Sequence, residues 1–174
     1  MPAFDPVKIF VTAEQFRYAS KWLAQARGMG CQADVGIPAV TCAAMALELY
    51  LKCLIAMEGT KNPNIHDLRD LFEKLSPSLQ ASVRSHFDAH SDAVKEFLIK
   101  DGSQASEVTF DFVLDWSREA FVRARYVFDD GQPQAIWWAD CITECARRVI
   151  LDAHPDWWGL RMASPEVFVA SPIP

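Results

Sequence analysis

A chain of 174 residues with 51% hydrophobic and 23% charged residues has the size and composition of one folded domain and is too apolar for a disordered segment. Its net charge of −6 excludes nucleic-acid binding by bulk electrostatics, so a site of that kind has to be a local cluster of cations. Five cysteines without the spacing of a disulfide scaffold, and a start that lacks a basic segment followed by an apolar run, point to a reducing cytoplasm and no signal peptide.

Residues Met1 to Val11, with Pro2 and Pro6, read as an extended arm. Thr12 begins a helix, with Gln15 three residues later at the capping-box spacing, and Phe16, Ala19, Leu23 and Ala26 form its core-facing stripe as far as Gly28 or Gly30. The loop GMGCQADVG leads into the stretch that organises the chain, Pro38 to Leu75, whose first half is a helix from Pro38 to a stop at Gly59. This helix has almost no polar face, and a helix apolar all round is buried all round. An apolar run of that length could also span a bilayer, but Glu48 and Lys52 lie near its middle. Each charge at a bilayer centre costs roughly 2.5–3.5 kcal/mol, whereas a Glu four residues before a Lys is a favourable helix pair. The expectation is the central helix of a soluble bundle, with no membrane.

After the turn TKNPN comes a short helix with Leu68, Leu71, Phe72 and Leu75 as its apolar positions, and Asp67 and Asp70 at its N-terminal end. Ser76 as cap and Pro77 at the first position open a further helix carrying Leu79, Val83, Phe87, Val94 and Phe97, expected to break or bend around His90 to Ser91 and to end by Gly102. The segment GSQASE is a loop. A sustained seam of Phe110, Leu114, Ser117, Phe121, Ala124 and Phe128 predicts another helix, stopped by Asp129, Asp130 and Gly131. The last helix spans about Gln134 to Ala153, with Trp138, Cys141, Ile142, Cys145 and Val149 on one face, and Pro155 closes it. A Pro- and aromatic-rich tail, 155–174, holds Trp157, Trp158, Leu160, Val167, Phe168 and Val169 and has to pack on its own bundle or on a second subunit. With no strand pattern or internal repeat, the reading is a single domain, 1–174: an all-α, up-and-down bundle of five or six helices.

ALELYLKCLI (Ala46 to Ile55), HDLRDLFEKL (His66 to Leu75) and EAFVRARYVFDD (Glu119 to Asp130) together resemble the HEPN domains, the higher-eukaryote and prokaryote nucleotide-binding helical domains. The specific parts are Glu48 with Lys52, the His-Asp-Leu at His66 to Leu68, and Arg125 with Tyr126. The resemblance covers roughly Thr12 to Ala153. It implies a helical bundle that commonly dimerises and works in RNA metabolism, toxin–antitoxin or phage-defence systems. Many members are metal-independent endoribonucleases with an Arg, four to six residues and a His in the final helix. Others are binding or regulatory modules, some paired with a nucleotidyltransferase.

CARRVILDAHPDW supplies that pattern formally, as Arg148 or Arg147 followed by His154. The His would serve as general acid or base at the RNA 2′-hydroxyl and leaving oxygen, and an Arg would stabilise charge on the scissile phosphate. Helical geometry strains this reading, because Arg148 and His154 are about 120° out of alignment while Arg147 and His154 align two turns apart, and His154 precedes Pro155 at the helix exit. The alternative is that both arginines complement the helix C-terminus, Arg148 pairing with Glu144.

His86 and His90 lie one turn apart with Asp88 between them, a superficial metal pair without a third ligand in spacing, and read as partly buried packing residues. Cys141 and Cys145 fall on the apolar seam as core residues. No metal site or cofactor is expected. Arginines do cluster, at Arg118, Arg123 and Arg125 and at Arg147 and Arg148, which permits a local basic cleft. Glu48, Lys52, His66, Arg118, Arg125 and Tyr126 form the second candidate set: charges among apolar surfaces are costly unless paired, so these residues are expected to meet, as a buried polar network or a binding site. The leading functional reading is a dimeric binding or regulatory module for RNA, a nucleotide or a protein partner. A metal-independent endoribonuclease and a purely structural homodimer that exchanges its aromatic tail are the alternatives.

Overall fold

The structure, a computed structural model, describes residues 5–28, 36–61, 63–100, 109–118 and 139–160. These contain six α-helices, a short 3-10 turn and no strand, which makes the protein an all-α helical bundle.

Helix α1 (Pro6–Gly28) begins inside the expected arm. The reason is local: the Asp5 carboxylate accepts from the Val7 amide at 3.0 Å and Pro6 takes the first helical position. Thr12 is therefore an interior residue, and its hydroxyl donates to the Lys8 carbonyl at 2.8 Å. The buried face also differs from the expected stripe. Phe10, Ala13, Glu14, Arg17 and Ser20 point inward, and Phe16 is only half-buried.

Helix α2 (Gly36–Met57) is the centre of the bundle, with Leu47, Tyr50, Leu51, Cys53, Leu54 and Ile55 fully enclosed. By length and composition alone Ile37–Met57 could cross a membrane, yet most of it is covered by the rest of the protein, as a core helix requires. Its end is a Schellman motif: Gly59 adopts φ +71°, its amide donates to the Ala56 carbonyl at 3.0 Å, and the Thr60 amide donates to the Ile55 carbonyl at 3.3 Å. Helices α1 and α2 run antiparallel, since Cys53 contacts the Pro6 carbonyl while Tyr50 packs on Phe10 and bonds Glu14.

Helix α3 (Leu68–Glu73) is capped by Asp67, which accepts from the Asp70 amide. Helix α4 (Pro77–Lys100) is capped by Ser76 and stays helical through His90 and Ser91, where a break was expected. No Pro or Gly interrupts the run from Ser78 to Lys100, and polar residues alone do not kink a helix. Helix α5 (Phe110–Ser117) is capped by Thr109; the remainder of its expected seam, to Phe128, lies outside the described residues. Helix α6 (Ala139–Ala153) follows, and the 3-10 turn Pro155–Gly159 closes the described chain. There the beginning of the tail packs on its own bundle: Trp157 is buried, 5.3 Å from Phe10 between ring centroids and stacked on His154 at 4.2 Å. Residues 161–174 lie outside the described residues.

Asp111 ties three helices together. Its carboxylate takes Arg84 of α4 at 2.7 and 2.8 Å and Arg69 of α3 at 2.7 Å. The hydrogen bonds from Arg84, and then those from Arg69, bring its carboxyl down to about 2. A carboxyl lowered by folding adds stability above its unfolded value, near 4, and loses it as the pH falls toward 2. Asp111→Asn is accordingly expected to melt a few degrees lower at pH 7 and to flatten the acid limb of the stability profile between pH 4 and 2. Thermal melts of both proteins across that range check it, and parallel acid limbs would refute it.

Candidate functional site

A cleft of about 390 Å³ opens between α4 and α6. Helix α4 contributes His86, Phe87 and His90, and α6 contributes Cys141, Glu144, Cys145, Arg147 and Arg148. The α6 residues Cys141, Glu144, Cys145 and Arg148 follow one another at three, one and three residues, a single helical face.

Behind this wall lies a buried ionic cluster that joins α1, α2 and α6. The Glu14 carboxylate receives the Arg17 guanidinium at 3.2 and 3.1 Å, the Arg147 guanidinium at 2.6 and 3.4 Å, and the Tyr50 hydroxyl. Arg17 also reaches Glu144 at 3.0 Å, and Lys21 reaches the same oxygen at 2.9 Å. Burial alone would raise the Glu14 carboxyl, but the hydrogen bonds from Arg147, Arg17 and Tyr50 outweigh it and hold it below the ordinary range. Tyr50 shifts the opposite way, upward, through burial and then the adjacent Glu14 charge, so it stays a neutral donor.

The two arginines thus differ. Arg147 has a side chain only 12% exposed and is fixed by Glu14; Arg148 has a side chain 51% exposed and a looser contact to Asp152 at 3.5 Å. The expected Arg148–Glu144 pair does not form, because Arg17 and Lys21 already hold Glu144 and Asp152 lies one turn further along α6. Asp152 also receives His86 Nε2 at 3.0 Å. His90 donates from Nδ1 to the His86 carbonyl at 2.8 Å. Neither histidine is a core residue: His90 is exposed and His86 half-buried on the cleft wall, since the apolar stripe of α4 runs through Val83 and Phe87 instead.

His154 lies just past the end of α6, stacked on Trp157, and is not among the residues lining the cleft. Trp158, the next residue of the turn, extends over both arginines, with its ring centroid 5.1 Å from the Arg147 guanidinium carbon and 5.5 Å from that of Arg148.

Comparison with protein-family models, with curated proteins and with solved structures finds no match for this chain.

Of the second candidate set, Glu48, Lys52 and His66 come together. Lys52 Nζ lies 2.8 Å and His66 Nδ1 3.0 Å from the same Glu48 oxygen, and the Glu48 side chain is 3% exposed. Arg118 does not join them. It pairs at the surface with Asp67 and, at 3.3 Å, with Asp70, while its carbonyl accepts from the Leu68 amide. Arg125 and Tyr126 lie outside the described residues.

The chemistry open to the cleft follows from these states. Burial pushes the Cys141 and Cys145 thiols up to about 12, so they stay protonated, poor nucleophiles. No three His, Cys, Asp or Glu side chains among the described residues gather closely enough to hold a metal ion. What the walls offer is hydrogen-bond donation, by a fixed and a half-exposed guanidinium and by imidazole, beside the Glu144 carboxylate that Arg17 and Lys21 already hold. Glu14, Arg17 and Tyr50 were missing from the sequence reading. The signal for them was present: Phe10, Ala13, Glu14, Arg17 and Ser20 recur at three and four, one stripe once the helix is started at Pro6.

Proposed function

We propose that this chain is a HEPN-like helical module that binds a phosphate-bearing ligand, a nucleotide or RNA, in the cleft between α4 and α6, with a regulatory rather than catalytic role in a defence or toxin–antitoxin type system. The observation that carries the reading is the pair Arg147 and Arg148 opening onto a cleft in the last helix, the element in which the resemblance puts the family's arginine, while His154 stands apart from that cleft. A half-exposed guanidinium held by a loose pair with Asp152 and a ring contact to Trp158 can exchange that carboxylate for a phosphate at little cost. The acidic net charge confines such binding to this patch.

A second reading, metal-independent RNA cleavage, is favoured by one feature: His86 and His90 line the same cleft opposite the arginines. Homodimerisation, and a protein partner such as a nucleotidyltransferase, belong to the proposal as well; light scattering on the purified chain measures the first directly.

The test is a titration of labelled single-stranded RNA and of adenosine nucleotides, followed by gel analysis of the RNA in excess chelator. Wild type is expected to bind without cleaving, Arg148→Ala to bind about tenfold more weakly, and His154→Ala to bind unchanged. Chelator-resistant cleavage would establish the nuclease reading, with His86→Ala, His90→Ala and His154→Ala locating the proton donor. Absence of binding by wild type would end the phosphate-cleft reading.

A further inference from the structure

Adjacent tryptophans at the end of α6 have opposite environments. Trp157 is buried against Phe10 and His154, and it anchors a turn whose backbone is fixed by the Trp157 amide donating to the His154 carbonyl and the Leu160 amide donating to the Trp157 carbonyl, both at 3.0 Å. Pro155 sets the first position of that turn. Trp158 is therefore presented by a fixed support, yet more than half of it, 55%, is exposed. A half-exposed aromatic contributes less to the fold than a buried one, and an exposed cation–π contact adds little more. Arg147 does not need the ring, since Glu14 already holds it.

We infer that Trp158 is a stacking platform for a nucleobase, placed so that the phosphate of the same ligand meets Arg148 at the mouth of the α4–α6 cleft. The inference rests on the reading of that cleft as a phosphate site. A flat, indole-sized surface beside a half-exposed guanidinium matches a ligand that carries a base and a phosphate within a few bonds of each other, whether a free nucleotide or one residue of a single strand. The Arg148 contact to the ring is a weak surface interaction, so a base can slide onto the indole while that guanidinium swings to the phosphate, and Arg147 stays with Glu14. Two side chains give the two halves of the recognition, and each half can be removed separately.

Binding is measured on the full chain with a labelled short oligoadenylate RNA, with an abasic ribose-phosphate oligomer of the same length as the base-free control, and with AMP as competitor. Trp158→Ala is expected to weaken binding of the oligoadenylate about tenfold and to leave the abasic oligomer unchanged; Trp158→Phe, which keeps a flat ring, recovers most of the loss. Arg148→Ala is expected to weaken both oligomers. Displacement of the oligoadenylate by AMP in the low-micromolar range marks a free nucleotide as the ligand, and failure to displace it marks the strand; both agree with the platform. Equal losses for the two oligomers in Trp158→Ala, or no loss in either, would overturn the platform while leaving the phosphate cleft standing through the Arg148 result. A wild type that binds none of the three probes overturns both.

Discussion

Glu14→Ala is expected to destabilise the protein by roughly 3–5 kcal/mol, since it leaves Arg17, Arg147 and the Tyr50 hydroxyl without their shared acceptor. Removing one partner of a buried charge cluster costs far more than the cluster contributes net, because the groups left behind stay desolvated. For a chain of 174 residues that loss corresponds to a melting temperature lower by about 6–20 °C. Glu14→Gln keeps the shape and one acceptor and should fall between alanine and wild type. The pH dependence separates this cluster from a packing effect. The folded carboxyl lies below its ordinary value of 4.5, so its contribution is complete above that pH and fades as the solution is acidified. Glu14→Gln removes that part of the acid sensitivity, which melts from pH 6 to pH 3 would reveal. A Glu14→Ala protein that melts within a degree or two of wild type would show that Glu144 takes over both arginines.

Lys52→Met is the second large effect, with an expected loss of about 3 kcal/mol. Glu48 is enclosed on the central helix, and after the substitution His66 is the partner that remains to it among the described residues. The double variant Glu48→Leu/Lys52→Met removes both charges at once and should regain most of the stability, as replacement of a buried pair by apolar side chains does elsewhere. This thermodynamic cycle distinguishes a register-fixing network from a ligand site. A network gives a large coupling between the two positions; a ligand site gives small stability changes and a loss of nucleotide or phosphate binding instead.

Much of the architecture was legible because it rests on short-range rules. The central helix follows from its lack of a polar face, and the Ser76 cap and the Gly59 stop are single-residue signals with direct structural counterparts, while Asp67, read only as a favourable charge, is the cap of α3. Glu48 and Lys52 were readable as a pair for the same reason, being one turn apart on a helix with no water to face. The misreadings are those in which a local rule competed with a tertiary one. Thr12 with Gln15 has capping spacing, but Asp5 and Pro6 supply a stronger start seven residues earlier. Glu14 and Arg17 read as surface charges on any amphipathicity scale, and only the arrival of Arg147 from a helix more than a hundred residues away makes burying them tolerable. The cleft was the least legible feature. His86 and His90 belong to one helix and the arginines to another, and nothing in their linear spacing states that α4 and α6 are neighbours.

Arg147 belongs to two structures at once. Two of its nitrogens complete the Glu14 cluster that holds the first helix in place, and the same side chain forms part of the cleft wall. A ligand that recruited this guanidinium would draw it away from Glu14, so occupancy of the cleft and docking of α1 compete for one set of donors. Such a linkage is reciprocal: whatever loosens the first helix frees a cation for the cleft, and whatever fills the cleft through Arg147 loosens the first helix by the same free energy. With a ligand engaging Arg147, the interior charge cluster would be a route by which an event on α1, far along the chain from the cleft, is felt as a change in affinity.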